Sequence, residues 1–382
     1  MSRTRLVVVS PSLGGGGAER HMLRILPVLE RAFDVSIASL RSGGDLRGDV
    51  PPDVPVHAIG TLGWLGAARR LRVLLERERP AVVLAFQEAA NIPVLLACRM
   101  LSRSVRPAIV ISTQSAPAVV LADARPRTRW RLSMAMRLLY PTADRIVAAS
   151  TGVTADLAAL APGTAGRVRV IYNAGIDATV VERAREPWTH PFADAGVPLL
   201  VACGRLADQK DYPTLIEAIA TLRVRRDVRL VVLGDGPLRT YLELDARLQG
   251  VEAIVSFAGY ASNPYPAMRR ADVFVLSSRS EGFGNVLVEA LALARPIVST
   301  DCPHGPREIL DGDRYGWLVP PGDPAALAAA LDRLLGDAAA REALGTAGPG
   351  RAALFTAERS GAAYVDLVCE ALASRAGART PA

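Results

Sequence analysis

Two acids beside a glycine-rich turn are the clearest candidates for chemistry in this sequence. The four residues between Glu281 and the apolar run that leads to Glu289 are Gly282, Phe283, Gly284 and Asn285. A helix that begins near Gly284 would point its first N–H groups at a phosphate. Glu281 then lies on the loop before the helix and Glu289 just over one turn inside it, so the two carboxylates reach different hydroxyl groups of one extended ligand. Two acids on a solvated helix surface are the alternative interpretation, and the glycines favour a ligand.

The second candidate is a pair of basic residues after a predicted strand. All but one of the 45 basic residues are arginine, and the exception is Lys210. Lysine offers a compact ammonium where arginine offers a planar fork, which indicates that this position requires a lysine. Arg205 and Lys210 follow the strand predicted at 199–204, so both cations can converge beyond its carboxyl end and offset the charge of a diphosphate without a metal. Two solvated surface charges are the alternative.

The third candidate is the run of glycines at 14–17, which follows the first predicted strand and precedes a helix. Gly16 and Gly17 stand where backbone N–H groups can approach a phosphate closely, although a flexible turn would have the same composition. The run is not a GxGxxG fingerprint, and no acid closes the second strand. A dinucleotide oxidoreductase is therefore not indicated.

Two further loops follow predicted strands of the second half. Gly234 and Asp235 form a tight turn, and a stiff proline-containing loop carries His304. No second histidine stands at metal-ligand spacing, and no DxD-like pair closes a strand, so we expect activity without a metal or another cofactor. The cysteines are far apart and are interpreted as free thiols of a reducing cytoplasm; they are Cys98, Cys203, Cys302 and Cys369.

The composition is that of a globular protein, with 50% hydrophobic and 5% aromatic residues in 382. No signal peptide is recognised, and the apolar run at 81–100 is broken by Gln87, Glu88 and Asn91, so no membrane span is predicted. Residues 1–180 contain 23 Arg against 13 Asp and Glu, a balance of +10. This excess indicates either an anionic partner or simply a solvated Arg-rich surface. The Arg-rich segment 125–131 with Trp130 favours an anionic membrane surface over nucleic acid, unless the helix packs in the core.

Strand-like and helical patterns alternate along the chain, which predicts two α/β domains with parallel sheets. The boundaries place an N-terminal domain at 1–178, a proline-containing linker at 179–198 and a C-terminal domain at 199–355. A terminal helix at 356–382 completes the chain.

Together these motifs resemble the retaining glycosyltransferases of family 4, which have the GT-B fold of two facing Rossmann-like domains. The resemblance rests on the Gly-Gly-Ala-Glu-Arg stretch at 16–20, on Gly204-Arg205-Leu206 with Lys210, and on Glu281 with Glu289. The segment 299–320 is similar to the branch that builds bacterial surface and lipid-linked glycans. The resemblance implies an N-terminal acceptor-side domain and a terminal helix that crosses back onto it.

The resemblance also implies roles for the site residues. Arg205 and Lys210 would hold the diphosphate of a nucleotide-sugar donor, Glu289 the ribose, and Glu281 the hydroxyls of the transferred sugar. Uridine is the base that the resemblance favours, and a glycan or lipid-linked saccharide is the acceptor. Many family members carry a histidine where this chain has Gln114, which cannot act as a base, so no catalytic base is assigned. A nucleotide-sugar epimerase and a non-catalytic nucleotide-sugar binder remain as alternatives.

Overall fold

The computed structural model describes residues 3–44, 46–60 and 63–377. The chain divides into two compact units. Unit 1 takes in residues up to Ala174 together with those from Ala357 onward, and unit 2 comprises residues 175–356. The last five residues of the predicted terminal helix, 378–382, lie outside the described part.

Unit 1 is a parallel sheet of seven strands with helices on both faces. Its strands are β1 (Arg5–Ser10), β2 (Asp34–Ser39), β3 (Val56–Ala58), β4 (Val82–Phe86), β5 (Ala108–Thr113), β6 (Arg145–Ala148) and β7 (Val168–Val170). Its helices are α1 (Gly17–Ala32), α2 (Trp64–Glu78), α3 (Glu88–Arg99), α4 (Pro117–Asp123), α5 (Pro126–Leu139), α6 (Thr151–Leu160) and, at the end of the chain, α15 (Ala357–Gly377). The strand order is β3-β2-β1-β4-β5-β6-β7.

Both faces of this sheet are buried, which explains why its strands read as unbroken apolar runs. Val7 and Val83 face the layer of α2 and α3, whereas Leu6 and Val82 face α1 and α15. The helices α1 and α15 pack so closely that a Cβ atom added at Gly361 would lie 2.6 Å from Cβ of Val28.

Unit 2 repeats this plan with a parallel sheet of six strands. Its strands are β8 (Leu199–Cys203), β9 (Arg229–Leu233), β10 (Val255–Gly259), β11 (Val273–Leu276), β12 (Ile297–Thr300) and β13 (Trp317–Val319). Its helices are α7 (Thr179–Arg183), α8 (Tyr212–Leu222), α9 (Arg239–Leu248), α10 (Tyr265–Arg270), α11 (Asn285–Ala292), α12 (Pro306–Leu310), α13 (Pro324–Gly336) and α14 (Ala338–Ala352). The strand order is β10-β9-β8-β11-β12-β13.

The predicted alternation of strands and helices is present in both units. In unit 1, the helices α3 and α6 are weakly amphipathic and α4 is short, so the sequence pattern indicates them only weakly. The segment predicted as a linker contains α7, and its residues belong to unit 2. The alternation of strands and helices fixes the architecture, since parallel neighbours need a crossover connection, and most of those connections here contain a helix.

In each sheet the chain runs outward from the first strand in one direction and then reverses. This reversal lies between β1 and β4 in unit 1 and between β8 and β11 in unit 2. Loops diverge at such a point and leave a crevice beyond the carboxyl ends of the two strands, where open α/β sheets bind ligands. Each unit therefore has one topologically favoured place for a site.

Candidate active site

The crevice of unit 2 is lined by the loops that follow β8 and β11. These two strands are hydrogen-bonded neighbours, so their loops, residues 204–211 and 277–284, emerge side by side. Gln209 donates a side-chain hydrogen bond to the carbonyl of Ser280 at 2.7 Å, and the N–H of Arg279 donates to the carbonyl of Gln209 at 2.8 Å. The hydroxyl of Ser277 donates to the carbonyl of Lys210 at 2.8 Å. The backbones of both loops are thus joined along their length.

Lys210 and Glu281 meet in this crevice. Nζ of Lys210 lies 2.5 Å from Oε1 of Glu281, and their side chains are 17% and 9% exposed. The same oxygen accepts a hydrogen bond from the hydroxyl of Ser278 at 2.7 Å. Lys210 and Glu281 belong to separate motifs of the sequence, and the fold brings them into contact.

A second ion pair, between Arg279 and Asp211, holds the loop of residues 204–211, which we call the lysine loop. Both guanidinium contacts of Arg279 with the Asp211 carboxylate are 3.0 Å long. Asp211 is buried, has a left-handed φ of 47°, and also accepts a hydrogen bond from Thr214. Hydrogen bonding to the carboxylate and its charge raise the pKa of Arg279 further, so the guanidinium stays charged. Asp211 and Arg279 were not identified from the sequence, because the two partners lie 68 positions apart. Ser278 was also missed, although its partner Glu281 is only three positions away.

A third loop approaches the crevice as bare backbone. A Cβ atom at Gly234 would lie 2.0 Å from the carbonyl oxygen of Gly204, and one at Gly236 would lie 2.4 Å from that of Leu206. The N–H of Leu206 donates to the carbonyl of Asp235 at 3.0 Å. Glycine is therefore required at both positions, since any side chain would push the loops apart.

Arg205 and Asp235 project from these loops as exposed side chains. Asp235 accepts a hydrogen bond from the N–H of Gly236, which fixes the tight turn. Within the described residues, no hydrogen bond or ion pair engages the side chain of Arg205, so its guanidinium is available to a ligand.

Helix α11 begins at Asn285, directly after Gly284, as the glycines predicted. Gly284 has a φ of 104°, which only glycine adopts readily. Gly282 and Phe283 are buried, and the Phe283 ring packs edge-on against Phe355 with a centroid distance of 5.4 Å. The aromatic side chain thus belongs to the interior of unit 2.

Glu289 is buried inside α11 and accepts a hydrogen bond of 3.4 Å from the hydroxyl of Tyr265. Tyr265 was not identified from the sequence, because a single tyrosine at the start of a short helix gives no signal. The structure thus places Glu281 on the loop and Glu289 in the helix, while the role of each toward a ligand stays a prediction.

The loop after β12 closes the crevice from the other side. The N–H of Glu281 donates to the carbonyl of Pro303 at 3.0 Å, and a Cβ atom at Gly305 would lie 1.7 Å from the carbonyl oxygen of Phe283. His304, between them, has a φ of 63°. Burial and the charge of Glu281 raise the pKa of Cys302 to about 12, so this thiol is not a nucleophile.

Gly16 and Gly17 belong to unit 1, unlike the other predicted donor-binding residues. Gly16 caps α1 and Gly17 begins it. The carboxylate of Glu19 folds back over this turn, where it accepts a hydrogen bond from Ser12 at 3.1 Å and would lie 2.4 Å from a Cβ atom at Gly16. The positive end of α1 thus already faces a carboxylate, and a contact of this loop with a donor stays a prediction.

Gln114 lies in a buried polar network of unit 1. Its amide donates to the hydroxyl oxygen of Ser112 at 2.6 Å, and that oxygen lies 2.8 Å from the hydroxyl of Tyr364 in α15. His21 lies 3.4 Å from the same hydroxyl and accepts a hydrogen bond from the N–H of Ala174. Burial lowers the pKa of His21 to about 3, so it is neutral and fixes α1 and α15 to the sheet.

Helix α5 combines the two interpretations that the sequence left open. Leu132, Met136 and Leu139 pack in the core, whereas Trp130 and Leu138 are 67% and 62% exposed. No helix among the described residues is long and apolar enough to cross a membrane.

The same part of the chain contains no group of three or more His, Cys, Asp or Glu residues that could hold a metal ion.

Comparison with known proteins identifies the family. The family model described as Glycosyltransferase Family 4 matches residues 15–179, and that described as Glycosyl transferases group 1 matches residues 197–337. The chain is 28% identical over 356 residues to the N-acetylgalactosamine-N,N'-diacetylbacillosaminyl-diphospho-undecaprenol 4-alpha-N-acetylgalactosaminyltransferase of Campylobacter jejuni, covering 90% of this chain and 93% of the relative. It is 29% identical to the lipopolysaccharide core biosynthesis glycosyltransferase LpsE of Rhizobium meliloti, covering 87% and 89%.

Solved structures confirm the predicted GT-B fold. A sucrose-phosphate synthase from Thermosynechococcus elongatus superposes with a TM-score of 0.81 at 20% identity, covering 97% of this chain and 100% of the other. HepE from Anabaena, solved with UDP and glucose, gives a TM-score of 0.78 at 19% identity with the same coverage. The structure has two Rossmann-like units with parallel sheets, and a glycosyltransferase family model matches the sequence of each half. The chain belongs to the family 4 glycosyltransferases and is a glycosyltransferase.

Proposed function

We propose that this enzyme transfers a sugar, with retention of configuration, from a UDP-sugar to a saccharide carried on a lipid diphosphate. The observation that carries the proposal is the contact of Lys210 with Glu281 in the crevice of unit 2. The contact sets a cation for a diphosphate directly beside a carboxylate for sugar hydroxyls. The bond between these two parts of a nucleotide sugar is the one that must break.

The charges favour a reaction on one face of the sugar. Lys210 and the exposed Arg205 would stabilise the diphosphate as it separates, which is the largest contribution that such a site can make. Glu281 is ion-paired at 2.5 Å and accepts a second hydrogen bond from Ser278, so its nucleophilicity is low. It is suited to hold a hydroxyl group rather than to form a covalent intermediate. The departing diphosphate would then take the proton of the acceptor.

The relatives support the choice of substrates. HepE was solved with UDP-glucose and with UDP. The Campylobacter relative is named for an α-linked transfer to a diphospho-undecaprenol saccharide. An α-linked UDP-sugar and a polyprenyl-diphosphate saccharide are therefore the substrates to test first.

The test has two stages, both in excess chelator because we propose that no metal is needed. A thermal-shift series over nucleoside diphosphates should show the largest stabilisation with UDP, since a ligand of the native state raises its stability. Transfer from UDP-sugars to a farnesyl-diphosphate-linked saccharide should then require the acceptor and give an α-linked product by proton NMR. A β-linked product, donor conversion without acceptor as in an epimerase, or turnover only with Mg²⁺ or Mn²⁺ would contradict the respective part of the proposal.

We also propose that the enzyme works in the cytoplasm at the inner face of an anionic membrane. The exposed Leu65 of α2 and Trp130 and Leu138 of α5 lie on helices that approach each other, since the guanidinium of Arg131 lies 5.8 Å from the ring of Trp64. The same two helices, whose exposed side chains we call the α2–α5 surface, carry exposed arginines that include Arg69, Arg127 and Arg137. Apolar side chains within a basic surface match an anionic lipid headgroup layer.

Vesicle sedimentation tests the membrane proposal. Binding to vesicles with anionic lipid should be strong at low salt, weak at high salt, and reduced by the double substitution Trp130→Ser with Leu138→Ser. Val224→Ser with Leu248→Ser is the control, because these residues of unit 2 are at least as exposed, at 82% and 78%. They lie within residues 181–382, which contain 22 Lys and Arg against 25 Asp and Glu. Equal effects of both pairs, or no binding at low salt, would contradict the proposal.

A further inference from the structure

Unit 1 has a second polar site at its own reversal point, between β1 and β4. Strand β4 ends at Phe86, and Gln87 and Glu88 stand directly beyond it, next to the loop that follows β1. In the sequence these residues were only polar interruptions of an apolar run. The structure places them where an open α/β sheet binds a ligand.

The backbone at this point is strained. Gln87 has a φ of 68° with a ψ of 156°, a region that residues other than glycine rarely adopt. Its N–H donates to the carbonyl of Ser112 at 2.9 Å, which holds the turn. The strained turn directs the chain into α3 with Glu88 as the first helical residue.

Two buried side-chain oxygen atoms of α3 have no hydrogen-bond donor within the described part of the chain. They are Oε1 of Glu88 and Oδ1 of Asn91, one turn apart on the same face of α3. Asn91 uses its amide nitrogen on the carbonyl of Ser112 at 3.0 Å and on the hydroxyl of Tyr140 at 3.4 Å. Unsatisfied buried acceptors are rare in native proteins and call for a cause.

The charge state of the cluster is set by burial. Burial raises the pKa of Glu88 to about 7, and the described ion pairs give it no basic partner. The titratable group that faces it is Tyr140, whose own pKa is raised by burial and by the charge of Glu88. This carboxyl, which has no cation as a partner in the described part of the chain, contrasts with Glu281, which is paired with Lys210.

The two free atoms determine the ligand chemistry. Both are acceptors, so the ligand must donate hydrogen bonds, and a phosphate or carboxylate would be repelled. We propose that Glu88, supported by Asn91, binds hydroxyl groups of the acceptor saccharide. This inference rests on the proposed function and adds the residues that recognise the acceptor.

Acceptor binding without a donor tests the inference separately from turnover. We expect isothermal titration with a farnesyl-diphosphate-linked N-acetylhexosamine to show binding to the wild type. The affinity of Glu88→Leu should be lower by roughly tenfold or more, the loss expected for a charge-assisted hydrogen bond. Glu88→Gln, which keeps an oxygen, should lie between them. Stabilisation by UDP should be unchanged in both variants, which shows that the donor site is intact.

A pH series and a matched control complete the experiment. Acceptor affinity of the wild type should rise with pH through about 7, as the carboxyl ionises, and Glu88→Gln should lose this dependence. Asp144→Asn removes a carboxylate of unit 1 that accepts from the N–H of Ile109 at the start of the neighbouring strand, and should leave acceptor affinity unchanged. Normal acceptor binding by Glu88→Leu, or no binding by the wild type, would overturn the inference. Failure of UDP to stabilise any form would instead contradict the proposed function.

Discussion

The two reversal points of this enzyme share a backbone plan and differ in charge. In unit 2, the crevice between β8 and β11 holds an ion pair, Lys210 with Glu281, that is bonded on several sides. In unit 1, the crevice between β1 and β4 holds Glu88, which has no cation as a partner among the residues that the structure describes. The same topology therefore builds a place for a ligand twice, and the side chains decide whether it suits a diphosphate sugar or a neutral hydroxyl donor.

The largest expected effect comes from the cations of unit 2. Lys210→Ala should lower kcat/KM by at least about 100-fold, the scale of one lost transition-state charge stabiliser. Its effect should exceed that of Arg205→Ala, because Lys210 also neutralises the buried Glu281. Steady-state kinetics on the folded variants measures both. Arg226→Ala is the control, since it breaks an ion pair with Asp332 elsewhere in unit 2, and it should leave kcat/KM near normal. Near-normal turnover by Lys210→Ala would remove the contrast between the two crevices.

The next largest loss of activity is expected from substitutions of Glu281. Glu281→Ala leaves both Lys210 and Ser278 without their partner, so we expect a loss of about 100-fold in kcat/KM, and a smaller loss for Glu281→Gln. The double substitution Lys210→Ala with Glu281→Ala should cost less than the product of the two single effects, because residues in contact are coupled. Additive effects would show that the two residues act independently.

How far the sequence predicts this arrangement depends on the range of the interaction. The alternation of apolar strands and helices predicted both units, because a parallel sheet covered on both faces needs continuous apolar runs. Lys210 could be identified because it is the only lysine in the sequence, and Glu281 because glycines lie beside it. Their contact was not predictable from spacing, since it joins residues 71 positions apart and requires β8 and β11 to be neighbours.

Glu88, in contrast, could not be identified as a site residue from the sequence. Nothing in its local sequence distinguishes a buried acid at a strand end from one on a solvated helix. Its significance depends on the absence of a partner in three dimensions, which spacing cannot express. The same holds for Asp211 and Arg279, whose ion pair spans 68 positions.

A pH series of stability probes the unpaired carboxyl directly. The pKa of Glu88 is raised from 4.5 to about 7 in the folded state. The unfolded chain therefore releases this proton first, and the contribution of Glu88 to stability is complete below pH 4.5 and is lost as the pH rises to about 7. This difference corresponds to at most about 3 kcal/mol. Denaturant unfolding of Glu88→Gln and wild type should thus diverge between pH 4.5 and 7.5, with the variant gaining. Parallel pH curves would show that Glu88 is ionised or paired in the folded enzyme.

The smallest effect is expected at the outer ion pair of unit 2, and it separates positioning from binding. Arg279 is 63% exposed, so its pair with Asp211 contributes little to global stability, whereas Asp211 is buried beside the lysine. Arg279→Ala should lower kcat by less than about tenfold and leave the melting temperature nearly unchanged, because only the hold on the lysine loop is loosened. Arg279→Lys should restore part of the loss, since it keeps a cation near Asp211. Arg307→Ala is the matched control, because it removes an exposed arginine paired with Asp301 on the neighbouring loop. If both alanine variants reduced kcat equally, the lysine loop would owe its position to the hydrogen bonds of Ser277 and Gln209 alone.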